Sequence, residues 1–527
     1  MGKVIPCSWI QIRIGEAGVC ITGNTPSTKD PSNYGGNLPY IKPPQLNNQI
    51  VSVGDETLSD KGAQLARILP ENSILVSCIG NLGRAALNTV PVAFNQQINA
   101  IVPSNEIFPK FLFYQVQSSE FRKQLEEMST ATTISIVNKR NFEKIKINLA
   151  PFNEQKRIVA KIEELFSELD NGIAALKTAR EKLKLYRQAV LKHAFEGKLT
   201  AQWREENKDK LETPEQLLAR IQKEREARYQ QQLEEWKAAV EKWEANGKKG
   251  KKPSKPKEQD KVELYHFPSD YYLARMPADW VCLKAEHLCD YITKGTTPAK
   301  SELFVNSGDI PFIKVYNLTK NGTLDFSIEP TFVSAKTHNE FLARSKVYPN
   351  DVLMNIVGPP LGKVSIVPES HSEWNINQAI AIYRSAVLLP KFLSKFLLFE
   401  KTVNYMMAQS KATAGQFNLT LEICRKLPIP VPSFEEQAEI VRKLDAQLSN
   451  VDSILQGIEV QLAKSETLRQ SILKKAFSGQ LVPQDPNDEP ASELLARIQA
   501  EKAAQQAAAK GKKTAAKRGR KPREVAQ

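Results

Sequence analysis

The sequence is poor in the residues that build metal sites and disulfides. Its 527 residues include six cysteines and five histidines, and no two cysteines form a CxxC pair. A zinc site needs clustered ligands, so this scatter argues against a metal centre. We expect the cysteines to be reduced, and several of them to serve as small core residues.

Long apolar runs are also lacking. No stretch reaches the roughly 18 to 20 uninterrupted apolar residues of a membrane span, and the N-terminal sequence lacks the apolar core of a signal peptide. We therefore expect a soluble intracellular protein. With 41% hydrophobic residues, the chain can form about two to four domains, each with its own core.

Positive charge is concentrated in two runs. Of the formal net charge of +14, residues 246–261 carry +5 and residues 510–523 carry +8. Both runs have the composition of solvated, disordered segments. The rest of the chain is therefore nearly neutral, and a nucleic-acid site there must come from local clustering of side chains.

The chain repeats itself, in order, over most of its length. Several short motifs occur twice, at a shift of 271 to 282 residues. A single match would be noise, but this many in the same order indicate a duplication with small insertions. The motifs are PxxW at Pro6 and Pro277, GxTP at Gly23 and Gly295, Asn-Gln at Asn95 and Asn377, PKFL at Pro109 and Pro390, Glu-Gln at Glu154 and Glu436, Arg-Gln at Arg187 and Arg469, and LLARIQ at Leu217 and Leu494.

Each half begins with about 150 residues that indicate a mixed α and β domain, here called a head. Short β-branched runs alternate with Gly, Pro and Asn turns, and 74–79 and 352–357 are predicted as buried strands. PKFL opens a predicted helix with Pro in its first turn. The predicted fold class is α+β, with two α/β heads separated by two long helices.

A long helix follows each head, and its apolar residues recur at intervals of three, four and seven. Asn153 and Ser433 are the expected N-caps, and Gly197 and Gly479 the expected stops. A narrow apolar seam cannot stay exposed, so each helix packs either on its own head or on the other helix. We favour an antiparallel coiled coil of the two helices. Its predicted seam residues are Ile158, Ile162, Leu165, Leu169, Ile173, Leu176 and Leu183 in the first helix, and Ile440, Leu444, Leu448, Val451, Leu455, Ile458 and Leu462 in the second.

Signals for catalysis are weak. GPPLGKV at Gly358 has three residues between its glycines and Val after its Lys, so it fails the phosphate-loop pattern. Five scattered histidines give no Ser-His-Asp arrangement, and we expect no catalytic residue. Polar, turn-prone segments instead recur at equivalent places in both heads. Their Asn, Gln, Thr, Lys and Arg side chains are those that read base edges and phosphates, although each could equally belong to a solvated loop.

The whole pattern resembles the specificity subunit of type I restriction-modification systems, over almost the full chain. The resemblance rests on the PxxW start, the GxTP loop, Asn-Gln before an apolar strand and a Phe-x-Glu-Gln helix start, each present twice. It implies two target-recognition domains that each read half of a split double-stranded DNA site, and paired helices that set the distance between the halves.

The resemblance also implies partners. Two methyltransferase subunits would dock on the helices and flip the target adenine, and restriction and translocase subunits would join them. S-adenosylmethionine, ATP and Mg would belong to these partners, and this chain would hold no cofactor. The expected location is the cytoplasm of a bacterium or archaeon.

The predicted domain boundaries follow from the repeats and the composition. The long extension and the basic tail depart from the plainest family pattern, and the tail is expected to add salt-sensitive DNA affinity. The predicted segments are target-recognition domain 1 (1–151), the central coiled-coil helix (152–200), a charged helical extension with a Lys/Gly/Pro linker (201–265), target-recognition domain 2 (266–432), the C-terminal coiled-coil helix (433–482), and a short helix with a basic disordered tail (483–527).

Candidate DNA contacts lie in the polar loops of the heads. The heads differ at most polar positions, so we expect two unlike half-sites and an asymmetric target. The candidates are Thr22, Asn24, Thr25, Lys42, Arg84, Gln96, Thr132, Thr133 and Lys139 in the first head, and Lys294, Thr296, Thr297, Lys314, Lys363, Gln378, Thr413, Gln416 and Asn418 in the second.

Two other functions stay open from the sequence. One is a coiled-coil scaffold for protein interactions without DNA specificity, and the other is a stand-alone nuclease with an unrecognised site. A scaffold would be indifferent to DNA sequence. A nuclease would cut when purified alone with a divalent metal.

Overall fold

The computed structural model describes two compact units. The described residues are 5–47, 49–130, 134–250, 252–256, 258, 261–266, 271–358, 360–410 and 418–518, with the backbone alone from residue 505. Unit 1 comprises Met1–Thr178 with Ile458–Gln527, and unit 2 comprises Ala179–Gly457. Unit 1 therefore combines two distant stretches of the chain, whereas unit 2 is one continuous stretch.

The strands lie in the two heads, at equivalent places. Unit 1 contains β1 (Ile10–Arg13), β2 (Gly18–Thr22), β3 (Tyr34–Ile41), β4 (Gln49–Val51), β5 (Glu56–Leu58), β6 (Ile68–Leu69), β7 (Ile74–Ser77), β8 (Ala85–Asn88), β9 (Val92–Phe94), β10 (Ile98–Pro103) and β11 (Lys146–Leu149). Unit 2 contains β12 (Val281–Lys284), β13 (Tyr291–Lys294), β14 (Phe304–Val305), β15 (Ile310–Ile313), β16 (Thr331–Val333), β17 (Lys346–Val347), β18 (Val352–Asn355), β19 (Val364–Ile366), β20 (Trp374–Ile376), β21 (Ile380–Arg384) and β22 (Pro428–Val431).

The helices include short ones within the heads and long ones outside them. They are α1 (Ile14–Ala17), α2 (Asp60–Leu65), α3 (Pro109–Gln115), α4 (Ser119–Glu127), α5 (Lys139–Phe142), α6 (Phe152–Phe195), α7 (Ala201–Glu206), α8 (Pro214–Ala245), α9 (Ala285–Leu288), α10 (Ala335–Asn339), α11 (Pro390–Leu398), α12 (Glu400–Ala408), α13 (Leu421–Lys426), α14 (Phe434–Ala476) and α15 (Ala491–Arg518). None of the described helices is long and apolar enough to cross a membrane.

The two heads share most of their sheet topology, although the second sheet has five strands in unit 1 and four in unit 2. The first and last strands of each head pair antiparallel, as β1 with β11 and β12 with β22. A second sheet has the order β2-β10-β7-β8-β4 in unit 1 and β13-β21-β18-β19 in unit 2. A third sheet contains one parallel pair in each head, β3 with β9 and β15 with β20. The duplication read from the motifs is therefore also a duplication of fold.

The central strands form the core because all of their residues except Asn355 are apolar or small. Every residue of β7 and β18 is buried, as predicted for strands enclosed on both faces. Each is preceded by an Asn in the left-handed region, Asn72 with φ of 64° and Asn350 with φ of 72°. Asn tolerates this conformation better than most side chains, so it suits the tight turn into the strand.

The two long helices begin and end as their sequences direct, with one exception. The Glu436 amide donates to Ser433 Oγ over 3.2 Å, which caps α14. Helix α6 begins at Phe152, so the expectation that Asn153 caps it is wrong, and Asn153 lies in the first turn. Gly197 and Gly479 follow the helices with φ of 70° and 73°, the left-handed geometry that ends a helix.

Within each unit, the start of one long helix meets the end of the other. In unit 1, Ile158 and Ile162 of α6 share a core cluster with Ile472 of α14, and Arg469 pairs with Asp170. In unit 2 the same arrangement recurs with the helices exchanged, since Arg187 of α6 pairs with Asp452 of α14. The two helices are therefore antiparallel.

The LLARIQ repeats dock on the heads. Leu217 and Ile221 of α8 belong to the core cluster of unit 2, and Leu494 and Ile498 of α15 to that of unit 1. Helix α15 continues to Arg518, into the segment for which the sequence predicts a disordered tail. The alanines between 503 and 516 explain this extension, because Ala has the highest helix propensity.

Candidate nucleic-acid interface

Two repeated motifs attach each head to the long helix that follows it. They are PxxW at the start of the head and Glu-Gln at the start of the helix. Trp9 Nε1 donates to Glu154 Oε2 over 2.8 Å, and Trp280 Nε1 donates to Glu436 Oε2 over 2.9 Å. Both carboxylates are buried. Burial raises the pKa of Glu154, and the hydrogen bonds from Trp9 and Gln484 oppose that rise. PxxW and Glu-Gln therefore form a docking pair, which leaves them unavailable for DNA.

The glutamine of Glu-Gln holds a second element of the head. The Phe108 amide donates to Gln155 Oε1 over 2.8 Å, and the Leu389 amide donates to Gln437 Oε1 over 2.9 Å. These amides stand directly before the PKFL helices α3 and α11, where a helix leaves its first N–H groups unpaired. Each Gln thus fixes the PKFL helix against the start of the long helix.

The repeated Arg-Gln dipeptide acts at the far end of each long helix. The Ser119 amide donates to Gln470 Oε1 over 2.9 Å, and the Glu400 amide donates to Gln188 Oε1 over 2.9 Å. The neighbouring arginines make the ion pairs between the helices described above. The dipeptide therefore joins one helix both to the other helix and to a head.

The proline of PxxW packs on the glycine that ends the opposite long helix. A Cβ atom on Gly479 would lie 2.2 Å from Pro6 Cγ, and one on Gly197 would lie 2.1 Å from Pro277 Cγ. Only glycine fits such a contact. Each head is therefore held by the start of its own helix and by the end of the other.

The GxTP loop lies on the Asn-Gln turn in both heads. A Cβ atom on Gly23 would lie 2.0 Å from the carbonyl oxygen of Asn95, and one on Gly295 would lie 2.1 Å from that of Asn377. Real Cβ atoms do not approach a carbonyl so closely, so both loops need glycine here. The loop and the turn form one polar surface in each head, here called the loop–turn surface (residues 22–25 with 95–97, and 294–297 with 377–379).

Several predicted contacts are brought together on these surfaces. Thr25 Oγ1 donates to Gln96 Oε1 over 2.5 Å, and the Gln378 amide donates to Thr297 Oγ1 over 3.4 Å. Thr25, Gln96, Thr297 and Gln378 are all exposed. They are placed where a ligand can reach them.

An arginine flanks each loop–turn surface and was not among the candidates. In unit 1, Arg67 Nη1 donates to the Thr22 carbonyl over 2.6 Å, and its amide donates to Asn24 Oδ1 over 2.8 Å. In unit 2, Arg344 Nε donates to Thr296 Oγ1 over 3.2 Å. Both arginines are exposed. Arg67 lies one residue before β6, and Arg344 lies two residues before β17. The two arginines therefore occupy different positions relative to their strands, and the sequence repeat does not align them.

The other candidates of the first head are dispersed around the loop–turn surface. Lys42 pairs with Glu56 over 2.5 Å, and Lys139 lies 3.6 Å from Glu143 on helix α5. Arg84 is exposed directly before β8. Exposed ion pairs are weak, so phosphate groups could compete for these lysines.

The candidates of the second head show a similar spread. Lys294 is exposed at the end of β13, and Lys314 lies over the Tyr316 ring, 5.5 Å from its centroid. Lys363 is half-buried directly before β19, and Asn418 is exposed and bridges to Val357. Thr132, Thr133, Thr413 and Gln416 lie outside the described residues.

The predicted seam residues are all at least half-buried, although two of the apolar residues that continue the pattern, Tyr186 and Leu468, are exposed. Those buried fully are Ile158, Ile162, Ile440, Leu444, Leu448, Val451 and Ile458, and those buried in part are Leu165, Leu169, Ile173, Leu176, Leu183, Leu455 and Leu462. Burial is thus deepest where the helices meet a head.

The described part of the chain contains no cluster of three or more His, Cys, Asp and Glu side chains with metal-site geometry. Its six cysteines are unpaired, and burial raises the pKa of Cys20, Cys78 and Cys282 to about 12.

A family model described as the type I restriction modification DNA specificity domain matches residues 6–178 and 277–464, more than half of the chain. The chain belongs to the type I restriction-modification specificity family. Both matched segments run from PxxW of a head into the long helix that follows it. Family membership implies DNA sequence specificity, and specificity subunits are the non-catalytic members of their complexes.

Curated relatives span most of the chain. The EcoBI specificity subunit of Escherichia coli is 27% identical over 454 residues, covering 83% of this chain and 81% of its own. The EcoKI specificity subunit of Escherichia coli (strain K12) is 24% identical over 520 residues, covering 95% and 97%. A solved chain from work on complex assembly and conformational transition of the type I R-M system covers 90% of this chain and 99% of its own, with a TM-score of 0.61 and 19% identity. That structure supports the fold of this specificity subunit.

Proposed function

We propose that this specificity subunit reads a bipartite, asymmetric site on double-stranded DNA, one half with each head. It would direct two methyltransferase subunits, and through them restriction and translocase subunits, to that site. S-adenosylmethionine, ATP and Mg would be held by those partners, in the cytoplasm where the DNA lies. The antiparallel helices would set the number of unread base pairs between the halves.

One observation carries this proposal. The loop–turn surface is built twice with the same backbone approach, by Gly23 on Asn95 and by Gly295 on Asn377, yet with different side chains around it. A scaffold has no need of two such polar surfaces. Two copies of the same backbone arrangement that carry different side chains are suited to recognise two different DNA sequences.

The candidate contacts divide into shared and unlike pairs when the heads are superposed by their motifs. Shared pairs suit contacts that both half-sites offer, such as phosphates, whereas unlike pairs suit base edges. The shared pairs are Thr25 with Thr297, Lys42 with Lys314 and Gln96 with Gln378. The unlike pairs are Thr22 with Lys294, Asn24 with Thr296 and Arg84 with Lys363. Arg67 and Arg344 join the candidates because they flank the same surfaces.

Genome-wide mapping of adenine methylation tests the proposal. Cells would express an active methyltransferase subunit with or without this chain. We expect a motif in two short, unlike parts with a fixed gap, methylated only when the chain is present. Methylation without sequence preference, or a motif that persists without the chain, would contradict the proposal.

A further inference from the structure

Unit 1 contains a polar cavity among its described residues. The equivalent place within unit 2 is occupied by a segment of unit 2 itself. The cavity has a volume of about 640 Å³ and lies among the β1–β11 pair, helices α3 and α4, and the end of α14. Its lining includes Gln11, Gln115, Ser118, Phe121, Gln124 and Asn148, with Phe477 at its base. None of the candidate DNA contacts lines it.

The equivalent framework of unit 2 places aromatic and apolar side chains at these positions. Gln11 faces Asn148 in the β1–β11 register, and Cys282 faces Pro430 in the β12–β22 register. The PKFL helices likewise align Gln115 with Phe396, Ser118 with Phe399, Phe121 with Thr402 and Gln124 with Tyr405. Two of the aligned aromatics, Phe396 and Phe399, lie 5.1 and 5.9 Å from the Phe195 ring, the equivalent of Phe477.

The segment Tyr271–Leu273 fills this place in unit 2. The Tyr272 ring lies 6.0 Å from both Phe399 and Tyr405, and its hydroxyl donates to Thr402 Oγ1 over 3.4 Å. The Tyr271 ring lies 5.1 Å from Tyr405. Leu273 is fully buried. Tyr272 therefore contacts the equivalents of Ser118, Phe121 and Gln124, which in unit 1 line the cavity left by the described residues.

The cavity of unit 1 also holds a buried acceptor that needs a donor. Gln115 is only 4% exposed, and its Oε1 has no hydrogen-bond partner among the described residues. A buried polar atom without a hydrogen-bond partner destabilises the folded protein. A bound group with an N–H or O–H donor would remove this destabilisation. Phe121 and Phe477 provide the apolar surface for a ring beside it.

We propose that this cavity receives a segment of another polypeptide, in the place that Tyr271–Leu273 occupies in unit 2. The segment presents an aromatic side chain with a donor group, Tyr or Trp, to Gln115. The amide and hydroxyl lining of unit 1 suits a segment more polar than Tyr-Tyr-Leu. Gln11 already bonds to Asn148, Gln124 to the Lys146 backbone and Asn148 to the Phe477 carbonyl. The second N–H groups and lone pairs of these amides can pair with the segment. Resting on the proposed function, the partner is the methyltransferase subunit. Because the equivalent place in unit 2 is filled, the methyltransferase subunits would make different contacts with unit 1 and with unit 2.

Filling the cavity tests the inference. Gln115→Phe introduces the side chain of unit 2 and should weaken binding of the purified methyltransferase subunit at least tenfold while the melting temperature and DNA binding stay unchanged. Ser118→Phe should weaken that binding as much, but it also removes the hydroxyl that accepts from the Phe121 amide and caps helix α4, so its melting temperature should fall. Lys123→Phe is the matched control, because Lys123 lies on helix α4, which directly follows both positions, with its side chain 72% exposed. Binding by the filled variants equal to that of the wild type would overturn the inference.

A cross-linking experiment covers the case in which a filled variant does not fold. p-Benzoylphenylalanine in place of Ser119, an exposed residue that lines the cavity, should capture a Tyr- or Trp-bearing peptide of the methyltransferase subunit. Capture of residues of this chain alone would overturn the inference. The proposed function fails separately, if the wild-type chain neither binds the methyltransferase subunit nor directs methylation.

Discussion

The glycines of the GxTP loops show how a single residue sets a recognition surface. At Gly23 and Gly295 the backbone of the loop lies against the carbonyl oxygens of the Asn-Gln turn, where no side chain fits. The loop and the turn could both be identified in the sequence, as repeated polar segments. Their mutual contact could not be predicted, because Gly23 and Asn95 lie 72 positions apart in the sequence.

We expect Gly23→Ala to disable the first head. The added Cβ would lie 2.0 Å from the Asn95 carbonyl oxygen, so the loop has to move. DNA affinity for the cognate site should fall at least about tenfold, roughly 1.4 kcal/mol, as measured by fluorescence anisotropy.

The control for this variant is Gly172→Ala. Gly172 lies within α6 with no described heavy atom near its added Cβ. It should leave DNA affinity unchanged and stabilise the protein by about 1 kcal/mol, since Ala replaces Gly in a helix. Equal affinity in both variants would show that the loop does not need its close approach to the turn.

Thiol reactivity should distinguish Cys7 from the other cysteines. Cys7 is exposed, whereas burial raises the pKa of Cys20, Cys78, Cys282 and Cys289 to about 12 and that of Cys424 to about 11. The thiolate is the reactive form. At pH 8 we therefore expect iodoacetamide to label Cys7 first in the native protein, as read by peptide mass spectrometry. Cys7→Ser should remove that fast label, and rapid labelling of a buried thiol before unfolding would contradict this account.

At the scale of elements, the repeated motifs were easier to find than to interpret. PxxW, Glu-Gln and Arg-Gln were identified as repeats, but their hydrogen bonds join residues far apart in the sequence. Trp9 and Glu154, for example, are separated by 145 positions. The seam residues carried their own period, so the pairing of the two helices could be predicted from them. The Arg–Asp pairs that cross the helices could not, because the period marks only apolar residues.

The pair of Arg187 and Asp452 should contribute to helix pairing in unit 2. Reversing one charge, by Arg187→Asp or Asp452→Arg, places like charges together and should lower the unfolding free energy. Asp452 is 41% exposed, so solvent screening limits the coupling to about 1 kcal/mol. The double variant should recover most of the loss in a urea-unfolding cycle.

Strict additivity would contradict this expectation. In that case the double variant would lose as much unfolding free energy as the two single variants together. Lys184→Asp is a suitable control, because Lys184 lies on the same helix and pairs only locally with Glu181 among the described contacts. It should shift stability by less than either of the pair variants.

At the scale of the whole molecule, the duplication predicted two heads and two long helices. The antiparallel coiled coil predicted from the two seams already implies that the start of one helix lies beside the end of the other. The contacts of Pro6 with Gly479 and of Pro277 with Gly197, which hold each head on both helices, were not predicted. Nor did the duplication assign LLARIQ to the head cores, since both copies lie beyond the helices in the sequence. The DNA contacts remain predictions, because which bases a loop reads depends on its geometry against the DNA.

The measurement that tests the central claim most directly is the methylation motif of a chain that carries the second head twice. Residues 1–151 would be replaced by residues 266–432, which bring the Trp and Pro of the docking contacts with them. The account predicts that the asymmetric motif becomes symmetric, with two inverted copies of one half-site. If the modified chain, shown to be folded and bound to its methyltransferase subunit, still produces the original asymmetric motif, the claim that each head reads its own half is wrong.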